Sequence, residues 1–408
     1  MKAKPVKSGG RGAVTFLIQS MQDRGGMERV TATVASGLAR RGLEVEILTL
    51  WGRASAFDLD PQVRLGTLGM TPGTLRMRGQ TLPLMYRLRR RLAARRPTTL
   101  VVVDTFLSAF AFPATAGLDI GRVAWEHFHY HTDLGMRSRR LGHFVAAFLG
   151  QHVVTLTRQD AEQWRAALPA ARARILPIAN PLPFVQPSDN PYSPLSRTVL
   201  AMGRLDDQKG FDLLLAAWAR VEPEFPDWHL KILGNGVREQ ALREQVSQLH
   251  LRRCTLAPAT PQVEQEYRAA GVYALSSRHE GLPMVLLEAQ AYGVPAVAFD
   301  CPTGPADLLG PGGGLLVAPE QVGAFARALQ TLMADPQTRQ RMSREAFENS
   351  ARYESGRIFD QWQTLLEPER QSAPAETARP GTGIPAQVLT SHIIKTRSSR
   401  SVNLTLDE

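Results

Sequence analysis

Short, apolar, β-branched runs alternate with helix-period segments along most of this chain, and they do so in two successive series. Few architectures accept that pattern. Val14 to Ser20 reads as a buried strand, followed by the Gly25-Gly26 turn, a helix from about Met27 to Arg41 that Gly42 stops, and a strand from Val45 to Leu50. Leu100–Asp104, Gly121–Trp125 and His152–Thr157 continue the series. A polar, Pro-rich stretch from Asn180 to Ser196 reads as a linker. The second series then runs through a strand at Thr198–Met202, a helix at Gly210–Arg220, a strand at Trp228–Leu233, a helix at Val237–His250, and strands at Val272–Ser276 and Val294–Phe299. Such alternation indicates parallel βαβ units. Both halves are therefore expected to be doubly wound α/β domains, with ligands bound outside the carboxyl ends of the strands. Two such Rossmann-like domains facing each other would enclose a cleft.

The expected division is a flexible leader (1–12), an N-terminal domain (13–185), a C-terminal domain (186–350), a closing helix (351–367) packing back toward the N-domain, and a disordered tail (368–408). The closing helical segment reads from about Ala346 to Leu366, interrupted at Gly356. A length of 408 residues fits two domains. The two cysteines, Cys254 and Cys301, cannot form a disulfide framework and fit a reducing cytoplasm. The apolar run Ala13–Ile18 is too short for a signal peptide, and no stretch of about 18 apolar residues predicts a membrane span. A formal net charge of +10 favours anionic partners, nucleotides or anionic lipid ahead of nucleic acid.

Candidate chemistry concentrates in a few segments. Glu280 and Glu288 bracket a turn and the start of an apolar helix, Met284–Tyr292, with Pro283 suited to its first position. A carboxylate buried along such a helix is costly unless something hydrogen-bonds it. A ligand with hydroxyls at both ends and an anionic middle, resting on the helix N-terminus, would fit. Gly203-Arg-Leu-Asp-Asp-Gln-Lys-Gly210 directly follows a strand and places Arg204 and Lys209 where two cations can neutralise a diphosphate without a metal. Gly25-Gly26, Gly234-Asn-Gly236 and Thr303-Gly-Pro305 allow close backbone approach. Glu126-His127, with His129 and His131 nearby, invites a metal reading, but no carboxylate or cysteine cluster completes such a site. His127 is instead expected to be a polar group at the cleft.

Together these segments resemble the retaining glycosyltransferases of family 4, which have the GT-B fold. The likeness runs from about Val14 to Leu366 and is carried by Glu280–Glu288 with the following Ala-Gln-Ala-Tyr-Gly-Val-Pro295, by the 203–210 segment, by Gly25-Gly-Met-Glu-Arg-Val30 and by Ala179-Asn-Pro181. The resemblance implies that Arg204 and Lys209 hold a donor diphosphate, Glu288 the ribose hydroxyls and Glu280 the transferred hexose. It implies further that Gly26 offers its N–H near the phosphate or acceptor, that His127 lies by the sugar, and that Gly281, Leu282 and Pro283 form a loop cradling the donor. Cys301-Pro-Thr-Gly-Pro305 looks like the variant in members using UDP-activated hexoses or N-acetylhexosamines, whereas Leu256-Ala-Pro-Ala-Thr260 departs from the usual glycine-containing turn. Retaining, metal-independent transfer without a bound cofactor is implied, the leaving diphosphate taking the acceptor's proton. The acceptor would be a saccharide or a lipid-linked saccharide used in cell-surface polysaccharide or glycolipid synthesis.

Three alternatives stand beside this reading: a sugar-nucleotide epimerase or hydrolase of the same fold, a dinucleotide-dependent oxidoreductase, and an inactive membrane-bound interaction subunit. A complete G-x-G-x-x-G is missing after the first strand, against the oxidoreductase. Between Leu75 and Arg96 lie Arg76, Arg78, Arg87, Arg89, Arg90, Arg91, Arg95 and Arg96 with no acidic residue, interleaved with Leu82, Leu84, Met85, Leu88 and Leu92. Part of this stretch is expected to form a basic amphipathic helix, with Arg137, Arg139 and Arg140 adding charge in the same domain. It would serve either as a solvated face packed on the sheet or as a surface docking on the anionic inner face of a membrane. The expected location is cytoplasmic, and on the second of these readings peripheral on that face.

Overall fold

The computed structural model describes residues 12–72, 80–132 and 137–367. All of the expected leader but Gly12, the tail 368–408, and Arg76 and Arg78 lie outside the described residues.

Thirteen strands form two parallel sheets among the described residues. The first contains β1 (Ala13–Ile18), β2 (Glu44–Thr49), β3 (Arg64–Thr67), β4 (Thr99–Val103), β5 (Gly121–Trp125), β6 (His152–Thr155) and β7 (Arg174–Pro177), in the order β3-β2-β1-β4-β5-β6-β7. The second contains β8 (Thr198–Met202), β9 (His229–Leu233), β10 (Cys254–Ala257), β11 (Val272–Leu275), β12 (Ala296–Phe299) and β13 (Gly314–Val317), in the order β10-β9-β8-β11-β12-β13. Central strands such as β4 are buried throughout, because helices cover both faces of a doubly wound sheet. In each sheet the winding reverses beside the first strand, between β1 and β4 and again between β8 and β11. The crevice at such a switch point is where ligands bind. Val272 pairs with Val199 there, so the loops leaving β8 and β11 emerge side by side.

Four strands go beyond the sequence expectations: β3, β7, β10 and β13. All four are sheet edges of four residues each, and each has at most one fully buried residue. An edge strand pairs on one side only and needs no continuous apolar run, so the pattern that reveals central strands is missing from it.

The end of the described chain also differs from expectation. One helix runs from Pro336 to Ser350, a single 3-10 turn covers Ala351–Tyr353, and the last helix runs from Ser355 to Leu366. The break therefore falls at 351–354 rather than at Gly356, which lies inside the last helix. It coincides with anchoring to the linker: Leu182 N–H donates to Tyr353 O (2.8 Å) and Ser355 Oγ donates to Leu182 O (2.9 Å). The last helix then packs on the first sheet. Trp362 sits edge-on to Trp125 (4.7 Å between ring centres) and Phe16 (6.3 Å), while Arg41 pairs with Asp360 at 2.6 Å.

The basic helix spans Thr81–Arg95 and buries Leu84, Leu88 and Leu92. Leu82, expected on its apolar side, is instead 75% exposed, as is Tyr86 at 66%. Three of the arginines have structural partners: Arg87 donates to Leu68 O and Gly69 O, Arg89 to Ala114 O and Ala116 O, and Arg91 pairs with Glu46. Arg139, expected to add surface charge, is fully buried because two carboxylates hold it.

Candidate functional site

The site begins in the loop after β8. Asp206 accepts a bond from Lys209 N–H (3.2 Å) and caps the short turn Asp207–Lys209. Gly210 then adopts a φ of 60°, and a Cβ there would strike the carbonyl of Ser276, so the loops after β8 and β11 approach closely only with glycine at this position. Ser276 Oγ donates to Lys209 O at 2.9 Å, and Arg278 N–H to Gln208 O at 2.8 Å, stitching the two loops together.

That stitching brings Lys209 Nζ to 2.6 Å from Glu280 Oε1, and Ser277 Oγ donates to the same oxygen at 2.7 Å. The loop after β12 closes the third side. Thr303, itself at a left-handed φ of 60°, donates from Oγ1 to Glu280 O at 3.0 Å. Glu280 is consequently 7% exposed, yet its carboxylate is paired and oriented.

The helix behind it spans Met284–Ala291, with Pro283 at the N-cap, one position earlier than the sequence suggests. Pro283 supplies no side-chain cap, and no acidic residue occupies the first turn, so the positive end of the helix dipole faces the loop unneutralised. Glu288 lies in the second turn and is 3% exposed. Arg29 pairs with its Oε1 at 3.2 Å and Tyr267 O–H donates to its Oε2 at 2.9 Å. Burial holds the Glu288 carboxyl above the usual range, against the pull of Arg29 and Tyr267.

The opposite wall comes from the loop after β5. His127 packs on Trp125 with 4.5 Å between rings, and burial lowers its pKa to about 4, which keeps it neutral near pH 7. Its Nε2 is buried without a hydrogen-bond partner. The His127 carbonyl presses on Gly281, where any Cβ would collide with it. Lys209, Glu280, Gly281, Leu282 and Pro283 are thus gathered with His127 across one narrow gap. Arg29 extends to Glu288 from the first sheet's leading helix, Gly26–Arg40. Gly26 opens that helix, and a side chain there would meet nothing within 4 Å. Arg204 stands apart: it is 73% exposed at its side chain and pairs with Asp206 at 3.2 Å. His129 and His131 do not converge with His127 on a metal position, and among the described residues no three His, Cys, Asp or Glu side chains are grouped for one.

Residues 190–349 match the family model described as glycosyl transferases group 1, and residues 24–183 match glycosyltransferase family 4. The chain belongs to the group 1 glycosyltransferases, with the GT-B fold. An uncharacterized glycosyltransferase of Haemophilus influenzae is 29% identical over 86% of this chain and 99% of its own. The amylovoran biosynthesis glycosyltransferase AmsD of Erwinia amylovora is 28% identical over 86% and 98%. In three dimensions the chain resembles Anabaena HepE in complex with UDP, with a TM-score of 0.72, 18% identity and coverage of 86% and 99%. Staphylococcus aureus TarM, at a TM-score of 0.71 and 12% identity, covers 87% of the chain with 99% of its own. Family membership displaces the oxidoreductase alternative.

Within this glycosyltransferase, Arg29, Tyr267, Ser277 and Thr303 escape notice in the sequence. Arg29 and Thr303 stand inside segments that attract attention for other residues and Ser277 lies just ahead of Glu280, but nothing local marks Tyr267. Their positions depend on strands distant in the chain.

Beneath the His127 loop, Asp160 accepts a bond from Tyr130 N–H at 2.8 Å, while its second carboxyl oxygen is buried without a partner. Burial pushes this carboxyl from its ordinary 3.8 up to about 8. The folded chain therefore holds a proton that the unfolded chain has lost over that window, and stability falls as pH rises from 3.8 to about 8. Asp160→Asn keeps the acceptor and cannot ionise. It should stabilise the protein at pH 8 by about 1–3 kcal/mol relative to the parent, as for other buried polar defects, read as a higher unfolding temperature and a flatter decline. Unfolding curves at pH 5 and pH 8 check this, and parallel pH profiles for the two proteins would refute it.

Proposed function

We propose that this glycosyltransferase moves a hexose or N-acetylhexosamine from a UDP-activated donor to a saccharide or lipid-linked acceptor, with retained anomeric configuration and without a metal, in polysaccharide or glycolipid synthesis. The observation that carries the proposal is the meeting of Lys209 and Ser277 on one oxygen of Glu280 at the β8/β11 switch point, ahead of the uncapped Met284–Ala291 helix. A diphosphate seated there faces an ammonium, backbone N–H groups and the helix dipole. Glu280 then accepts hydroxyls of the sugar and Glu288 those of the ribose. Gly26 offers its N–H near the phosphate or acceptor, and Arg204 swings in from solvent to the diphosphate. Solved neighbours in complex with UDP, with UDP-glucose, or with UDP and GlcNAc support a uridine donor. The leaving diphosphate takes the acceptor's proton on the same face, and the protein contributes positioning and charge.

Glu288 already has two donors, so a ribose hydroxyl adds a third bond to a buried carboxylate. Glu288→Gln should weaken free UDP about ten- to a hundredfold, the value of a hydrogen bond to a charged group. Titration calorimetry with UDP measures it, and unchanged affinity would remove Glu288 from the ribose. An epimerase or hydrolase would instead consume UDP-sugar at full rate with no acceptor present.

A second part of the proposal concerns where the acceptor is met. No helix among the described residues is long and apolar enough to cross a membrane. The Thr81–Arg95 helix nevertheless turns Leu82, Tyr86, Arg90 and Arg95 outward. Such a face suits peripheral docking on an anionic, cytoplasm-facing lipid surface, at about 1 kcal/mol per basic residue near it. Because Arg89 and Arg91 are structural, the informative variant is Arg90→Glu with Arg95→Glu. It should cosediment several-fold less with phosphatidylglycerol liposomes at low salt, while the parent ignores neutral ones. Equal cosedimentation of both proteins would leave a soluble acceptor as the reading.

A further inference from the structure

Behind His127 lies a buried ionic cluster for which the transfer chemistry above has no use. Arg139, from the helix Arg137–Leu149, pairs with Asp104 at 3.0 Å and with Glu126 at 2.7 Å. Its guanidinium also lies 4.3 Å from the centre of the Phe128 ring. Glu126 is completely buried and accepts from Thr105 Oγ1 and from His143 Nε2 (3.1 Å). The same Oε1 that meets Arg139 also receives the backbone N–H groups of His127 (3.1 Å) and Phe128 (2.9 Å). Asp104 completes the arrangement at a left-handed φ of 77°, which a non-glycine residue adopts only under compensation. Here that compensation is its bonds to Arg139 and to Phe106 N–H.

A buried ion pair is weak evidence for stability, since apolar residues of equal volume often serve as well. What this cluster does specifically is fix two consecutive peptide N–H groups, and so the direction in which the chain leaves β5. The carbonyl of His127 abuts Gly281 across the gap, with no room for a Cβ between them. A shift of a few tenths of an ångström in the loop therefore reaches the donor-side turn directly.

We propose that Arg139 and Glu126 are positioning residues for transfer, acting through His127 by clamping the His127–Phe128 backbone against the Gly281 turn. The proposal rests on the reading that His127 borders the transferred sugar. Lysine cannot replace the arginine, because a point ammonium does not span Asp104 and Glu126 as the planar fork does. Glutamine at 126 keeps an acceptor for the two N–H groups but removes the charge that anchors Arg139.

The test is a double-mutant cycle with His127→Ala, Arg139→Lys and Glu126→Gln. It is read as turnover of UDP-glucose or UDP-N-acetylglucosamine, whichever the parent consumes, together with free-UDP affinity and thermal unfolding. Arg139→Lys and Glu126→Gln should each lower turnover at least tenfold with UDP affinity within about twofold of the parent. Neither should reduce turnover further in the His127→Ala background, since residues acting as one unit are not additive. Additive losses, or parallel losses of turnover and UDP affinity that track a lowered melting temperature, would overturn the proposal in favour of a merely structural cluster. Full turnover in His127→Ala with UDP still bound would sink the proposal alone. A parent that binds no UDP would sink the donor reading and the proposal with it.

Discussion

Lys209→Ala is expected to slow transfer roughly thirty- to a thousandfold, the largest single effect at this site. Two losses combine. The ammonium is the one cation that the loop after β8 turns inward, 15% exposed and 2.6 Å from Glu280, and on the proposed reading its removal withdraws the charge that stabilises a leaving diphosphate. Groups of that kind contribute about 2–4 kcal/mol to the barrier. The same change strands Glu280 as a nearly buried carboxylate with only Ser277 on it, which repels an incoming diphosphate. On that reading Lys209 supplies the cation, so activity in the parent should survive EDTA. Strict dependence on Mg2+ or Mn2+, or a Lys209→Ala variant with parental turnover, would show that the leaving group is neutralised in another way.

Glu280→Gln should lower turnover about ten- to a hundredfold and leave UDP affinity within about threefold. The amide keeps the shape and one acceptor, so Ser277 and Lys209 still find an oxygen, but the bond from Lys209 loses its charge assistance. Sugar hydroxyls lose the same increment, worth about 1.5–3 kcal/mol for a bond to a charged group. UDP lacks the sugar and should barely register the change. Steady-state turnover with calorimetric UDP affinity separates the two, and a loss confined to UDP binding would exchange the roles of Glu280 and Glu288.

Some of this was legible in the chain because the signals are local. Central strands such as β4 and β12 are apolar on both faces and announce themselves, and the Met284–Ala291 helix is apolar enough around its circumference to require burial. The edge strands β3, β7, β10 and β13 carry no comparable signal, since half their surface faces outward. The arginines divide in the same way. Spacing located the Thr81–Arg95 helix, but spacing cannot say that Arg91 is spent on Glu46 or that Arg139 is drawn inward by Asp104 and Glu126.

The repeated βαβ alternation, the Glu280–Glu288 segment at a strand-to-helix turn and the cationic loop at 203–210 can all be read from the chain without its fold. Each depends on periodicity or turn chemistry within about ten neighbouring residues. Folding in three dimensions sets which of two cations faces inward, that Arg29 and Tyr267 share Glu288, and that Glu126, paired with Arg139, holds the His127 loop from behind. Those outcomes join residues from different strands, up to 259 positions apart for Arg29 and Glu288. What selects them is burial: once sheet closure removes water, a charge must find its partner wherever the topology brings one, and no local pattern records that choice.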